Sequence, residues 1–535
     1  MLWEKAKKFL FWLAERGLVI TLLLALAVKI YLLFLRDYAI VNDGMLYVEI
    51  IRRICEQGVR GAFTNAYPFN PFPLFAALVH KLSGGLLPYE ESALTVNFIF
   101  GLLALPPSYL LAKKYFGKLA ALITGLYLAL HPIFTEVSCQ VLREATAVCF
   151  GLWAIYFLLT ALDNEDPKQW SYGRIFLSFI LALIGALIRI EFLALFLAGG
   201  AAILFSHAEK GKPYEALARW KRLGVCALLI LVCLGLGFTT LRLIKGKWDF
   251  ARFDQIFSNT ALGEQKYSVE DPLKPAAEIY DANGQPIPLA RTRYEFAHLA
   301  WDHQRALFGY EILYKTWKTL HPVGLVLFLL GLYFLFTKKP LKATAPLNIF
   351  TAVLIIIFSA VFYRYVSTKF SVSNRHIIMP VFVLSVYMGL FVNYIKDDNL
   401  FKKLLILALT ITALTMLFYK VQRPLESHRL PLKKYGLQLK GQLPQGALMM
   451  APDSLRQITY YAGLRQKMWA AQTGSEIVEQ LSKKTNAFLL VNFKDTHAKV
   501  FKTVENEFQE ILTLNPVNEK YHLTIYRLNK EKTDE

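Results

Sequence analysis

The chain has 535 residues, of which 55% are hydrophobic and only 19% charged. Ordinary soluble domains carry about 25% charged residues, so this balance excludes a disordered or fibrous protein and weighs against a soluble multidomain enzyme. Mean hydropathy is +0.36, and apolar runs of about 17–25 residues recur along the sequence, the pattern of a polytopic membrane protein. The net charge of +20 falls largely in short loops between those runs, so a nucleic-acid partner is not expected.

In chain order, the basic segment Met1–Arg16 precedes an apolar run from Gly17 to Leu35, which is too long for a signal-peptide core and reads as an uncleaved first span. Further spans are expected near 94–112, 119–137, 144–162, 174–189, 191–206, 223–241, 321–336, 346–363, 377–395 and 404–419, about eleven in all. With the N-terminus inside, the inner loops carry Lys113, Lys114 and Lys118; Lys210, Lys212, Arg219, Lys221 and Arg222; Lys338, Lys339 and Lys342; and Lys396, Lys402 and Lys403. One acidic inner loop, Asp163–Gly173, is the exception, and the positive-inside rule is otherwise met.

Three segments are too polar to cross, and all fall outside. The first loop, within 36–93, has an apolar stretch Phe72–Leu87 broken by prolines, Lys81 and a Gly-Gly pair, which reads as short helices lying along the interface. The loop 242–320 is rich in Asp, Lys, Pro and Tyr. From 421 to 535 the strand-like runs Ala447–Ala451, Ala487–Asn492 and His522–Arg527 alternate with helix-like stretches Asp453–Ala462 and Val500–Ile511. The expected fold is therefore mainly α and polytopic, a transmembrane domain over 1–420 with a small α/β extracytoplasmic domain over 421–535. Among five cysteines there is no C-x-x-C pair; Cys55 and Cys139 both fall outside, where they could pair.

The first outer loop begins Val41-Asn42-Asp43-Gly44-Met45-Leu46-Tyr47, with a carboxylate about eight residues past the first span. Asn-Asp-Gly alone also suits a turn or a helix cap. Downstream come Asn70-Pro71-Phe72-Pro73 leading to Leu82-Ser83-Gly84, then Leu110-Leu111-Ala112-Lys113-Lys114-Tyr115-Phe116-Gly117, His131-Pro132, Val141-Leu142-Arg143-Glu144, Arg189-Ile190-Glu191 and Asn374-Arg375-His376 with Pro380. In this order and spacing the chain resembles the GT-C superfamily of membrane glycosyltransferases, nearest its protein O-mannosyltransferase and aminoarabinose transferase branch. It departs from the family pattern in His376, where a Tyr is usual, and in Ile190, where a Pro is usual. The resemblance implies a sugar transferred from a polyprenyl-phosphate-linked donor, such as an undecaprenyl-phosphate sugar, to a glycan, lipid or protein acceptor on the extracytoplasmic face of the plasma (inner) membrane. It also implies that Asp43 is the general base and that the anomeric carbon is inverted.

The residues themselves suit that chemistry. Expelling a lipid phosphate calls for a base near the acceptor hydroxyl and for cations at the membrane surface. Arg143, Arg189, Arg375 and Lys81 fall at the outer ends of spans, with Tyr47 and His376 beside them as candidate substrate contacts, although interfacial arginines also snorkel to lipid headgroups. Arg189 and Glu191 at one turn between two apolar runs are costly unless they pair or serve a polar site. Glu144 is read either as a second catalytic carboxylate, orienting the acceptor or touching a divalent cation, or as an acidic helix start. Lys29 lies about 9 Å from the outer end of its span, within snorkelling reach. His131 and His376 lack the partner spacing of a metal site, so no metal ligands are assigned. A transporter or flippase, or a lipid-linked glycan polymerase or ligase, is the competing reading; the related halves expected of a transporter are not seen in the sequence.

Overall fold

The structure, a computed structural model, describes Trp12, residues 15–34, 38–63, 69–162, 171–205, 215–245, 301–337, 344–369 and 373–391, and, with short gaps, 411–421 and 429–529. Its described residues form two compact units. One comprises residues up to 34, 46–245 and 301–421; the other comprises 38–45 and 429–529.

The first unit is helical: α1 (Gly17–Phe34), α2 (Asn42–Ala62), α3 (Pro71–Leu82), α4 (Tyr89–Leu103), α5 (Leu105–Ala129), α6 (Pro132–Ser138), α7 (Glu144–Ala161), α8 (Tyr172–Ile188), α9 (Ala194–Phe205), α10 (Glu215–Lys245), α11 (Trp301–Thr337), α12 (Ala345–Lys369) and α13 (Ile378–Ser385). The first turn of α2 belongs to the second unit. Among the described residues, five helical stretches are long and apolar enough to cross a membrane: Tyr89–Ala129, Glu144–Ala161, Ala227–Ile244, Gly309–Thr337 and Ala345–Val366. Gly17–Leu33, Tyr172–Ile188 and Ile190–Phe205 are shorter apolar helices. The span expected at 94–112 lies within the stretch Tyr89–Ala129, and the one expected at 119–137 follows the break at Gly117, whose φ of 85° is open to glycine at little cost, but leaves that helix at Ala129 and ends in α6. The expected span 377–395 is helical at α13, while 392–410, including the start of the run near 404–419, lies outside the described residues.

Sequence chemistry sets the helix starts. Asn70 caps α3, its Oδ1 accepting the Phe72 amide at 3.0 Å, and Pro71 occupies the first helical position, where no N–H is needed. At about 18 Å, α3 is too short to cross the hydrocarbon core. His131 caps α6 through Nδ1, which accepts the Phe134 amide at 3.1 Å, while its Nε2 donates to the Thr319 carbonyl at 2.8 Å. Both ring nitrogens are thus used structurally.

Three sequence expectations are corrected here. The loop expected to run to residue 320 gives way to helix α11 from Trp301, which breaks where His321 adopts φ 60° just before Pro322. Its polar residues Glu311, Lys315 and Lys318 share turns with Tyr310, Leu313, Tyr314 and Trp317, a mixed composition that reads as loop in the sequence. Lys29 does not snorkel: it is 1% exposed and donates to Ser138 Oγ, with its amine 5.2 Å from the Phe134 ring centroid. Cys55 and Cys139 are unpaired with each other; both thiols are free.

The second unit contains a five-stranded sheet in the order β2-β1-β3-β5-β4, with β1 (Leu448–Ala451), β2 (Arg465–Met468), β3 (Ala487–Asn492), β4 (Phe508–Thr513) and β5 (Leu523–Leu528). β1 pairs in parallel with β2 and β3, and β5 runs antiparallel to β3 and β4. β3 is buried along its whole length, as expected for a central strand covered on both faces. Helices α14 (Leu430–Leu439) and α15 (Arg456–Tyr461) cover one face, and α16 (Gly474–Ser482) and α17 (His497–Lys502) the other. The helix expected over Val500–Ile511 is instead the end of α17, a short 3-10 turn at Glu505–Glu507 and edge strand β4. Val500, Phe501, Val504 and Phe508 have helical spacing, but pairing of 508–513 with β5 overrides it.

Candidate functional site

Within the helical unit, the chain between α6 and α7 is held by a buried asparagine. Asn97 of α4 donates to the Gln140 carbonyl at 2.6 Å and to the Leu142 carbonyl, and its Oδ1 accepts from Thr146 Oγ1 at 3.2 Å. This fixes the entry to α7, so Glu144 begins that helix at a defined place. On the neighbouring helix, α8 ends at Ile188, and Arg189 is extended before the single 3-10 turn Ile190–Leu193. Phe192 in that turn fits against α7 and α8 because Gly151 faces it; a Cβ there would lie 2.6 Å from the Phe192 ring.

These placements bring together three residues far apart in sequence. Arg189, 5% exposed, donates from Nη1 to Glu144 Oε1 at 2.6 Å and from Nη2 to Glu191 Oε1 at 2.7 Å. Arg375, on the 3-10 turn Asn374–His376, approaches the same Glu144 oxygen at 3.6 Å. Glu144 is 3% exposed, and its other carboxylate oxygen has no hydrogen-bond partner. His376 stacks near Tyr365 of α12, ring centroids 5.2 Å apart. Burial, followed by the charges of Arg189 and Arg375, outweighs Glu191 and lowers the His376 pKa to about 3, so the imidazole is neutral near pH 7.

Arg143 lies beside this cluster, where its charge, like those of Arg189, Glu191 and Arg375, acts on Tyr365. Tyr47, 7% exposed, is electrostatically coupled to Arg189 and packs edge-on against Phe72 at 5.4 Å. Three guanidinium groups, Arg143, Arg189 and Arg375, thus stand against two carboxylates, Glu144 and Glu191, leaving a net positive charge. Lys81 is not brought into this cluster by the contacts described; it sits at the exposed end of α3, where its charge acts on Cys55. Asp43 lies in the first turn of α2, half-buried, on the segment belonging to the second unit.

Sequence reasoning missed Tyr365, Asn97 and Thr319. Tyr365 sits in an apolar run, Val361-Phe362-Tyr363-Arg364-Tyr365, indistinguishable by composition from an interfacial aromatic belt. Among the described residues, no group of three or more His, Cys, Asp and Glu side chains is placed to hold a metal ion.

Residues 71–236, less than half of the chain, match the family model described as dolichyl-phosphate-mannose-protein mannosyltransferase. The structure superposes on ArnT from Cupriavidus metallidurans bound to undecaprenyl phosphate, with a TM-score of 0.59 and 13% sequence identity over 95% of this chain and 97% of that one. The chain has the GT-C fold. The same enzyme in its apo state gives a TM-score of 0.58 at 13% identity, with the same coverage of 95% and 97%. The oligosaccharyltransferase of Archaeoglobus fulgidus in its apo form gives 0.48 at 14% identity over 97% of this chain and 75% of that one. No curated protein matches the sequence. In this chain, Arg189, Glu144 and Glu191 lie around the break between two apolar helices, α8 and α9, and the start of a third, α7.

Proposed function

We propose that this protein is an integral-membrane glycosyltransferase that moves a sugar from a polyprenyl-phosphate-linked donor to a glycan, lipid or protein acceptor on the extracytoplasmic face. The observation that carries this reading is the buried Arg189 bridging Glu144 and Glu191, with Arg375 and Arg143 adjoining. Taking several ions out of water among apolar helices costs several kcal/mol per ion, of the order of what pairing returns. A cluster with surplus positive charge is therefore best explained as a site for an anion. A polyprenyl phosphate supplies that anion together with an apolar tail suited to the membrane. ArnT, whose fold this chain shares, has been crystallised with undecaprenyl phosphate.

In the reaction, Asp43 takes the proton of the acceptor hydroxyl. The acceptor oxygen bonds to the anomeric carbon from the side opposite the phosphate, and the bond from that carbon to the phosphate oxygen breaks, inverting the centre. The electron pair leaves with the lipid phosphate. Charge grows on the phosphate oxygens as that bond breaks, and the arginine cations stabilise it most at that point. General-base assistance contributes about 10²–10⁴-fold to such a step.

The test is incubation of the purified protein, in detergent, with undecaprenyl-phosphate-linked sugars and a panel of acceptors, with release of undecaprenyl phosphate as the readout. Release by the native chain, lost in a folded Asp43→Asn variant, is the expected result. Full release by Asp43→Asn would remove the base from the mechanism, and no release with any donor would overturn the transferase reading.

A further inference from the structure

Within the second unit, the segment leading into Asp43 is gripped by two helices of the α/β domain. Tyr461 Oη, at the end of α15, accepts the Ile40 amide at 2.8 Å. Lys433 Nζ, on α14, donates to the Tyr38 carbonyl at 2.6 Å and lies 5.6 Å over the Tyr461 ring. Gln457 Nε2 donates to Asn42 Oδ1 at 2.8 Å, and Arg429 Nη1 approaches the same oxygen at 3.4 Å. The tethers fall on alternate residues, Tyr38, Ile40 and Asn42. Ala39, Ile40 and Val41 are themselves buried. Gln457 is only 2% exposed, and its one directed contact on this segment is the residue immediately before Asp43.

We infer that α14 and α15 form a clamp that sets the position of Asp43, with Gln457 and Asn42 as its positioning residues. The inference rests on the reading of Asp43 as the base. Asn42 and Asp43 share the first turn of α2, so a shift of Asn42 carries the Asp43 carboxylate with it. A nearly buried glutamine held on a single residue of this segment is a costly way to pack a surface helix. It is well suited to fixing a carboxylate, since displacement of a reacting group by about 1 Å costs on the order of 10²-fold in rate. The α/β domain thus acts in catalysis through the first loop.

The experiment compares native protein with Gln457→Leu, Asn42→Ala, the double variant and Asn42→Asp, the last keeping an oxygen to accept from Gln457 and Arg429. Asp43→Asn is the control for the base. The readouts are kcat and KM for an undecaprenyl-phosphate-linked sugar, with hydrogen exchange of residues 38–45 measured on the folded full-length chain. Expected are a fall in kcat of about 10- to 100-fold for Gln457→Leu and for Asn42→Ala, with little change in KM. The double variant should fall no further than either single one, exchange at 38–45 should be faster in all three, and Asn42→Asp should restore most of kcat. Native kcat in Gln457→Leu, with Asp43→Asn inactive, overturns the clamp and leaves the base in place. Full activity in Asp43→Asn overturns the base and the inference with it. A Gln457→Leu chain that melts early but has native kcat per folded molecule also overturns it.

Discussion

Arg189 Nη1 donates to Glu144 Oε1 at 2.6 Å, joining the break after α8 to the first residue of α7. The guanidinium's second arm holds Glu191 at 2.7 Å, so one planar fork satisfies two carboxylates on different elements. A lysine, with a single compact ammonium, cannot span both in this geometry.

Replacing Arg189 should therefore be costly. Arg189→Met leaves the buried Glu144 and the part-buried Glu191 without their shared cation, and breaking a buried pair such as Arg189 with Glu144 costs about 3–5 kcal/mol. Arg189→Lys keeps the charge and should be milder. Thermal melting in detergent should rank native above Arg189→Lys and Arg189→Lys above Arg189→Met; equal melting of all three would show that the fork does not hold the helices.

The buried amine of Lys29 gives a prediction of opposite sign for its two partners. Ser138 Oγ accepts from Lys29 and also lies 2.8 Å from the Phe134 carbonyl and 3.0 Å from that of Thr135. Lys29→Met removes a buried charge and leaves the serine bonded, so stability should be unchanged or improved. Ser138→Ala leaves the amine without this acceptor, at a cost of about 1–3 kcal/mol. Melting temperatures of the two variants check the order; a greater loss for Lys29→Met would refute it.

The His376 imidazole has its pKa lowered from 6.5 to about 3 by burial and by the neighbouring arginines. Between those pH values the unfolded chain holds a proton on His376 that the folded chain does not, so stability is full above about pH 6.5 and falls as the pH drops toward 3. Melting temperature against pH should fall less steeply for His376→Gln than for the native chain over this range, and parallel slopes would contradict the assignment.

Gly436 on α14 is where that helix meets α15. A Cβ at this position would lie 2.7 Å from the Ile458 carbonyl oxygen and 2.7 Å from Tyr461 Cβ. Backbone cannot yield as a flexible side chain does, so Gly436→Ala should push α14 from α15 and cost about 1–3 kcal/mol. Because Tyr461 and Lys433 both hold the segment before α2, hydrogen exchange at 38–45 should rise together with the loss in melting temperature. Unchanged exchange would separate the helix contact from the grip on the segment.

Much of the helical unit could be read from hydropathy, because a long apolar run has few alternatives in a bilayer and its caps are local. Pro71 after Asn70 and Pro132 after His131 start their helices as written. Legibility failed where a residue's partner lies far along the chain. Lys29 looked like a snorkelling lysine because nothing near it in sequence names Ser138. The stretch 500–511 looked like a helix because its apolar spacing says nothing of the strand that pairs with it. Arg143, Arg189, Glu191, Arg375 and His376 could be nominated one by one, and Tyr365 could not, since an aromatic in an apolar run has no distinguishing neighbour.

By itself, the order of amino acids determined that this chain is built of apolar helices, where many of them begin, and which charged residues stand at their ends, since these follow from side-chain transfer energies and local capping. Only the tertiary structure decided which charges meet. Glu144 and Arg189 become one ion pair because Asn97 fixes the start of α7 and Phe192 seats the turn after α8. The residue before Asp43 is held by Gln457 because the parallel strands β1 and β2 carry α15 between them, more than four hundred residues further along the chain. Such contacts depend on packing geometry that no local window of sequence contains.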